Sequence, residues 1–131
     1  MERCVVISLG QVEYLRAWDL QRRLHQQVAD GALPNLLLLL EHPHVYTLGR
    51  RGKTSDILVS DEALSRLGAE VHEIDRGGEV TYHGPGQLVG YPIVNLRAWG
   101  GGPLKYVETL EQVLIATLAE FGITGESADR P

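Results

Sequence analysis

The sequence predicts an α/β (α+β) chain, a mixed sheet flanked by helices, and three observations predict it. Short apolar runs of strand length alternate with longer segments of helical periodicity. Each long helical segment is amphipathic and so carries one face to lay on a sheet. No internal repeat, low-complexity tract or linker interrupts the 131 residues, a length suited to one domain or part of one.

The elements follow in order. Arg3–Leu9 is short, apolar and rich in β-branched residues, which predicts a strand. Val12–Asp30 predicts a helix: Tyr14, Ala17, Leu20, Leu24 and Val28 fall on one side, and Arg16, Asp19, Arg23 and Gln26 on the other. Gly31 is its natural stop. Trp18 and His25 flank the apolar side and are expected in core or boundary packing. Asn35–Glu41 is continuously apolar, which predicts a central strand covered on both faces. Asp61 is the expected cap of a short helix through Leu67. Glu70–Ile74 reads as a strand. Gln87–Asn95 reads as another, with Pro92 restricting it to an edge or a bulge. Leu104–Phe121 predicts a second long helix, with Pro103 at its start and Gly122 just past its end. Val107, Leu110, Leu114, Thr117 and Phe121 form its expected buried side; Glu108, Glu111 and Gln112 lie opposite. A polar tail, Gly125–Pro131, closes the chain on a loop that leads nowhere, so further sequence is expected beyond it.

Composition narrows the classes. The chain is 44% hydrophobic and 22% charged, ordinary for a soluble globular protein. Glu2 and Arg3 are followed by no long apolar core region, so no signal peptide is expected. The longest apolar run, Leu36–Leu40, falls far short of the about 20 residues that cross a bilayer. The expected setting is cytoplasmic, without membrane association. A net charge of −5 argues against a nucleic-acid binder, although Arg50, Arg51 and Lys53 make a local basic cluster. The single cysteine, Cys4, excludes an internal disulfide and a multi-cysteine metal site. It is expected as a small buried strand residue rather than a reactive thiol.

The informative segment is Asp75–Pro92, DRGGEVTYHGPGQLVGYP. Paired glycines let backbone approach a ligand closely. Arg76 offers a fixed charge, and His83 a donor, an acceptor or a proton carrier near neutral pH. Such a loop suits a carbonyl or carboxylate at the mouth of an apolar slot, and it equally suits a plain connector. Gly52, Lys53 and Thr54 supply the end of a phosphate-binding loop, but its first glycine position holds Thr47. Gly84 and Gly86 are followed by Val89 where a dinucleotide fingerprint needs glycine. Histidines 42, 44, 72 and 83 match no standard zinc spacing, and no metal is expected. His42 and His44, on either side of Pro43, read as structural or pocket residues.

Arg76–Ile93, RGGEVTYHGPGQLVGYPI, resembles the signature of lipoyl(octanoyl) transferases, and Glu41–Gly52, EHPHVYTLGRRG, resembles a second block of that family in the expected order. The resemblance covers essentially the whole chain and corresponds to the N-terminal part of the family's catalytic domain. Lipoate–protein ligases share the fold but typically carry a GGG core followed by a His-Asp pair, and the Gly-Arg-rich loop of biotin–protein ligases is not found.

The resemblance implies a biotin/lipoate ligase-transferase-like domain, incomplete at its C-terminus. It implies transfer of an octanoyl or lipoyl group from octanoyl-acyl carrier protein to a lysine of lipoyl domains, those of 2-oxoacid dehydrogenases and of the glycine cleavage H protein. The family's acyl group rides on a cysteine thiolate activated by a nearby lysine, and no ATP or other cofactor is required. By the same resemblance Arg76, Gly77, Gly78, Glu79, Val80, Thr81, Tyr82 and His83 line the acyl site, with His42 and Tyr91 as further pocket candidates. The family's lysine and cysteine lie beyond the matched part. Neither Cys4 nor Lys53 nor Lys105 stands at their positions, so no catalytic residue and no activity are expected of this chain alone. Missing strands would leave a sheet edge open, and self-pairing or a companion segment is expected. Acyl carrier proteins and lipoyl domains are typically acidic, which makes Arg50, Arg51 and Lys53 the candidate docking patch. The rivals are an ATP-using lipoate ligase relative and a non-enzymatic acyl-binding remnant.

Overall fold

A computed structural model describes residues 3–128. The chain divides into two compact units, Met1–Ile93 and Val94–Pro131.

In the first unit, β1 (Cys4–Gln11), β2 (Asn35–Glu41) and β6 (Val89–Ile93) form a three-stranded sheet in the order β1-β2-β6. β1 lies parallel to β2, joined by the crossover helix α1 (Tyr14–Ala29), and β6 lies antiparallel on the other side. Register decides the core. Leu36, Leu38 and Leu40 share a face with their partners Ile93, Tyr91 and Val89. Ala17 and Val28 of α1 are buried in the same two clusters. Each fully buried leucine contributes about 1.5–3 kcal/mol. Helix α1 stops at Asp30, and Gly31 follows with φ +75°, a left-handed turn that glycine takes without a Cβ clash.

β2 is central, as expected, but within this sheet it is not covered on both faces. Leu37 and Leu39 alternate with the buried leucines and are half-exposed. Cys4 and Val6 point to that same second face, so Cys4 is exposed rather than buried. Alternation is the cause: Val5, Ile7 and Leu9 take the inward positions. Trp18 sits at the boundary, whereas His25 is exposed, turned away from the sheet with its polar neighbours. Pro92 stands in the edge strand β6, where its missing N–H costs no ladder bond to a further strand.

A second sheet has the order β4-β3-β5, with β3 Val45–Leu48, β4 Glu70–Glu73 and β5 Val80–His83. β3 and β4 are parallel through α2 (Asp61–Leu67); β3 and β5 are antiparallel. The cap of α2 is Ser60, one residue earlier than expected: its Oγ accepts from the Ala63 N–H at 3.2 Å, and Asp61 takes the first helical turn. β3 and β5 are absent from the sequence reading, which leaves them in loops. The strands of the expected single mixed sheet are thus shared between two mixed sheets.

In the second unit, α3 (Leu96–Trp99) is a short helix capped by Asn95, whose side chain accepts from the Ala98 N–H at 3.2 Å. It too lies outside the sequence reading. α4 (Gly102–Glu120) begins two residues early, with Pro103 in its first turn and Gly122 at φ +73° after its end. Its expected buried side is not buried: Leu114 is 63% and Phe121 77% exposed, and no residue of α4 is buried. The amphipathic pattern is present, but within this unit α4 meets only short segments among the described residues: Trp99 of α3 at Tyr106 and Lys105, and the returning chain around Gly125 at Ile115 and Leu118. Asp129–Pro131, the end of the expected polar tail, lie outside the described residues. No helix among the described residues is long and apolar enough to cross a membrane.

Candidate functional site

Pairing across β4-β3-β5 places Val45 beside Glu70 and His83, and Thr47 beside His72 and Thr81. Directly paired residues share a face. One side of this sheet therefore carries two histidines and two threonines around a buried centre, since Val45 and Thr47 are 2% and 1% exposed.

Arg76 closes one end of that face. Its Nη2 donates to the Thr47 carbonyl (3.0 Å), Thr47 Oγ1 (2.9 Å) and Thr81 Oγ1 (2.7 Å), and its Nη1 to the Gly77 carbonyl (2.9 Å). The guanidinium thus stands on the protein's own oxygens. It gives the face a positive field rather than a free fork of donors. Around it two loops interlock. The N–H groups of Gly49, Arg50 and Arg51 donate to the carbonyls of Glu79, Arg76 and Gly78 at 2.7–3.0 Å. A Cβ on Gly49 would lie 2.5 Å from the Gly78 oxygen, and one on Gly52 2.9 Å from the Glu79 oxygen. The glycines of the first block, Gly49 and Gly52, are thereby explained: they leave room for the backbone of the second.

At the other end His83 pairs through Nδ1 with Gln87 Oε1 at 2.5 Å. The acceptor is an amide oxygen, so Nδ1 is the donor and Nε2 is turned away from Gln87. The following turn is type II: Gln87 N–H donates to the Gly84 carbonyl at 3.1 Å, with Pro85 leading and Gly86 at φ +85°. Glu41 at the end of β2 accepts from the Gly86 N–H at 2.7 Å and ties this turn to the first sheet.

His42, fully buried, links the two sheets' ends. Its Nδ1 donates to the Val12 carbonyl at 2.7 Å, which fixes the tautomer and leaves Nε2 to accept from Tyr91 Oη at 2.8 Å. Burial lowers the pKa of His42, against the raising effect of the Val12 bond and with a small lowering from His83. Burial also pushes the Tyr91 hydroxyl well up, helped by Tyr14 and opposed by a hydrogen bond from Gln21. A neutral imidazole and a protonated phenol follow. Tyr14 joins them, its ring centroid 5.2 Å from His42 and 6.1 Å from a stacked His72, while His42 lies 5.6 Å from His83. Burial raises the Tyr14 pKa too, with Arg76 opposing and Asp75 reinforcing.

The eight residues Arg76–His83 do not converge on one point. Arg76, Thr81 and His83 belong to the polar face, together with His42 and Tyr91. Gly77, Gly78 and Glu79 form the interlocked loop. Val80 and Tyr82 alternate to the opposite face, where Tyr82 Oη shares a 2.7 Å hydrogen bond with His44 Nδ1 and packs on Tyr46. Tyr82 also explains Gly84, where a Cβ would fall 2.1 Å from the Tyr82 hydroxyl. Tyr14, Thr47, His72 and Gln87 belong to the cluster and escape the sequence reading. Tyr14 is masked by its place in a helical apolar stripe; Thr47 and His72 become visible once β3 and β4 are paired.

The chain matches the model of the lipoyl protein ligase A/B catalytic domain over residues 13–131. It is 49% identical over 127 residues to an octanoyltransferase of Gloeobacter violaceus, covering 96% of this chain and 55% of the relative. It is 47% identical over 125 residues to one of Acidobacterium capsulatum, covering 90% and 51%. The chain spans about half the length of the curated relatives it matches. Among solved structures, lipoate-protein ligase A bound with ATP superposes with a TM-score of 0.59 at 15% identity, covering 98% of this chain and 52% of that one, a shared fold. The chain belongs to the lipoyl protein ligase A/B catalytic domain family.

Proposed function

We propose that this chain serves octanoyl transfer for lipoate assembly. It would supply the acyl-binding face of a catalytic domain that takes an octanoyl group from an acyl carrier protein and gives it to a lipoyl-domain lysine. The observation that carries the reading is the pairing of the two blocks. The segments that resemble the transferases are not separate motifs but two interlocked loops and two paired strands, β3 and β5, under one polar face. Identity of 44–49% to octanoyltransferases across most of the chain supports this chemistry over the ATP-using ligase.

The transfer is balanced without a nucleotide. A cysteine thiolate attacks the donor thioester carbonyl and expels the carrier's thiolate. The acceptor amine then attacks the new thioester, expels the cysteine thiolate and gives up a proton. This chain's part is to hold the acyl group: Arg76 fixes Thr47 and Thr81 beneath the carbonyl region, and Gln87 fixes His83 beside it. The family's thiolate and lysine are not assigned to any residue here. Cytoplasmic location and the lipoyl-domain acceptors belong to the same proposal.

The test is binding of octanoyl-pantetheine, followed by titration calorimetry without ATP or magnesium. Saturable binding is expected, weakened about tenfold in His83→Ala, the loss of one polar contact worth about 1.4 kcal/mol. Failure to bind the thioester, together with tight binding of octanoyl-adenylate, would replace this reading with the ligase one.

A further inference from the structure

The geometry points to a docking rim for the acidic donor protein, built from Arg50, Arg51 and Lys53 beside the acyl face; this rests on the transfer reading above. Three cations stand within four residues, and all three are exposed. None of them enters an ion pair among the described residues. The whole chain is acidic, at −5, so the rim is a local reversal of the protein's own field, the arrangement that orients an acidic partner rather than attracting it everywhere.

Position is what turns a charged loop into a rim. The backbone of Gly49, Arg50 and Arg51 is bonded to the carbonyls of Glu79, Arg76 and Gly78. Arg76 in turn reaches Thr47 and Thr81 of the acyl face. Arg50 is therefore bonded through its backbone to the residue that closes that face, Arg51 follows two residues on at Gly78, and Lys53 stands two residues beyond Arg51. The bonds use main-chain atoms only, which leaves both arginine side chains free of structural duty. Three acids lie close by, one of them the exposed Asp75 next to Arg76. Asp56 accepts the Lys53 backbone N–H at 2.9 Å, and Glu79, whose carbonyl joins the interlock, keeps an exposed side chain. Against Arg50, Arg51, Lys53 and Arg76 they leave the two loops with a net positive charge.

An acyl carrier offers the matching chemistry: an acidic surface with a thioester arm that must reach the acyl face from the rim. The rim then sets encounter and orientation, while the face sets acyl recognition.

The experiment compares the wild-type chain, R50E/R51E, and R3E/R22E, which makes the same change of net charge at exposed residues remote in sequence from the rim. Each is measured against octanoyl-acyl carrier protein at low and at high salt, against octanoyl-pantetheine, and against a single-stranded RNA oligonucleotide. The expected result is carrier binding slowed about tenfold or more in R50E/R51E at low salt, converging with wild type at high salt. R3E/R22E should stay within about twofold, and octanoyl-pantetheine should bind all three alike. Equal carrier association in wild type and R50E/R51E, with octanoyl-pantetheine still bound, overturns the rim and leaves the transfer reading standing. Loss of both ligands in the wild type overturns both. RNA bound by the wild type more tightly than the carrier, and lost in R50E/R51E, reassigns the rim to nucleic acid.

Discussion

Gly49 has an ordinary backbone conformation and no need of glycine's freedom; it is glycine because three atoms of the opposite loop occupy the space of a side chain. The Gly78 and Gly77 oxygens and Arg76 Nη1 would all lie within 2.9 Å of a Cβ there. Two of these are main-chain atoms, the Gly78 oxygen held by the Arg51 N–H and the Gly77 oxygen by Arg76 Nη1, so neither can swing aside. Gly49→Ala is expected to cost about 3 kcal/mol, the upper part of the range for overpacking. Gly31→Ala is the contrast. Gly31 sits at φ +75° with nothing within 4 Å of its missing Cβ, so the cost there is only the left-handed backbone, about 1 kcal/mol. Urea unfolding of the two variants separates crowding from strain, and equal losses would show that the loops do not interlock as described. Neither role follows from glycine content alone. Gly49 and Gly52 are legible only once the two blocks, 27 residues apart in the chain (Gly49 to Arg76), are seen to meet.

At the scale of elements, the long amphipathic segments and the continuous leucine run were legible because their periodicity extends over many residues. α1, β2, β6 and α4 therefore stand close to where pattern puts them. β3 and β5 were not legible: VYTL and VTYH are four residues each, too short for a period to declare itself, and glycine and proline crowd them on both sides. With them went half of the site, since the polar face exists only through their pairing. His42 shows how elements meet there, reaching Val12 ahead of α1 and Tyr91 on β6. Its lowered pKa makes a pH prediction. The unfolded chain takes up the His42 proton near the ordinary value of about 6.5. The folded chain does so only at lower pH, so between the two values the unfolded state holds more protons. Stability therefore rises with pH through that window and is lost as pH falls below about 6.5. His42→Gln removes the titration, though it weakens the fold at every pH. The melting temperature of the wild type is expected to fall more steeply than the variant's between about pH 7 and about pH 5. Parallel slopes would mean that His42 is not held neutral by burial.

At the scale of the whole molecule, the proposed acyl face lies on the second sheet and is bordered by His42 at the end of β2, whereas the chain's one thiol stands at the other end of the first sheet. Cys4 pairs with Asn35 at the start of β2, while His42 follows Glu41 at its end. Six strand residues separate those ends, about 20 Å at about 3.3 Å per residue. Cys4 also points to the sheet face opposite the one where Tyr91 lies. A bound octanoyl thioester must bring its carbonyl within about 3.5 Å of an attacking sulfur, and no side-chain motion spans that gap. Binding and covalent transfer should therefore separate in this chain. After incubation with octanoyl-acyl carrier protein, intact mass spectrometry is expected to show the unmodified chain, and Cys4→Ser is expected to bind octanoyl-pantetheine as the wild type does. An octanoyl adduct that vanishes in Cys4→Ser would place a nucleophile on β1 and overturn the location of the acyl face. An unmodified wild type that still binds the thioester is what an acyl-holding surface without its own thiolate gives.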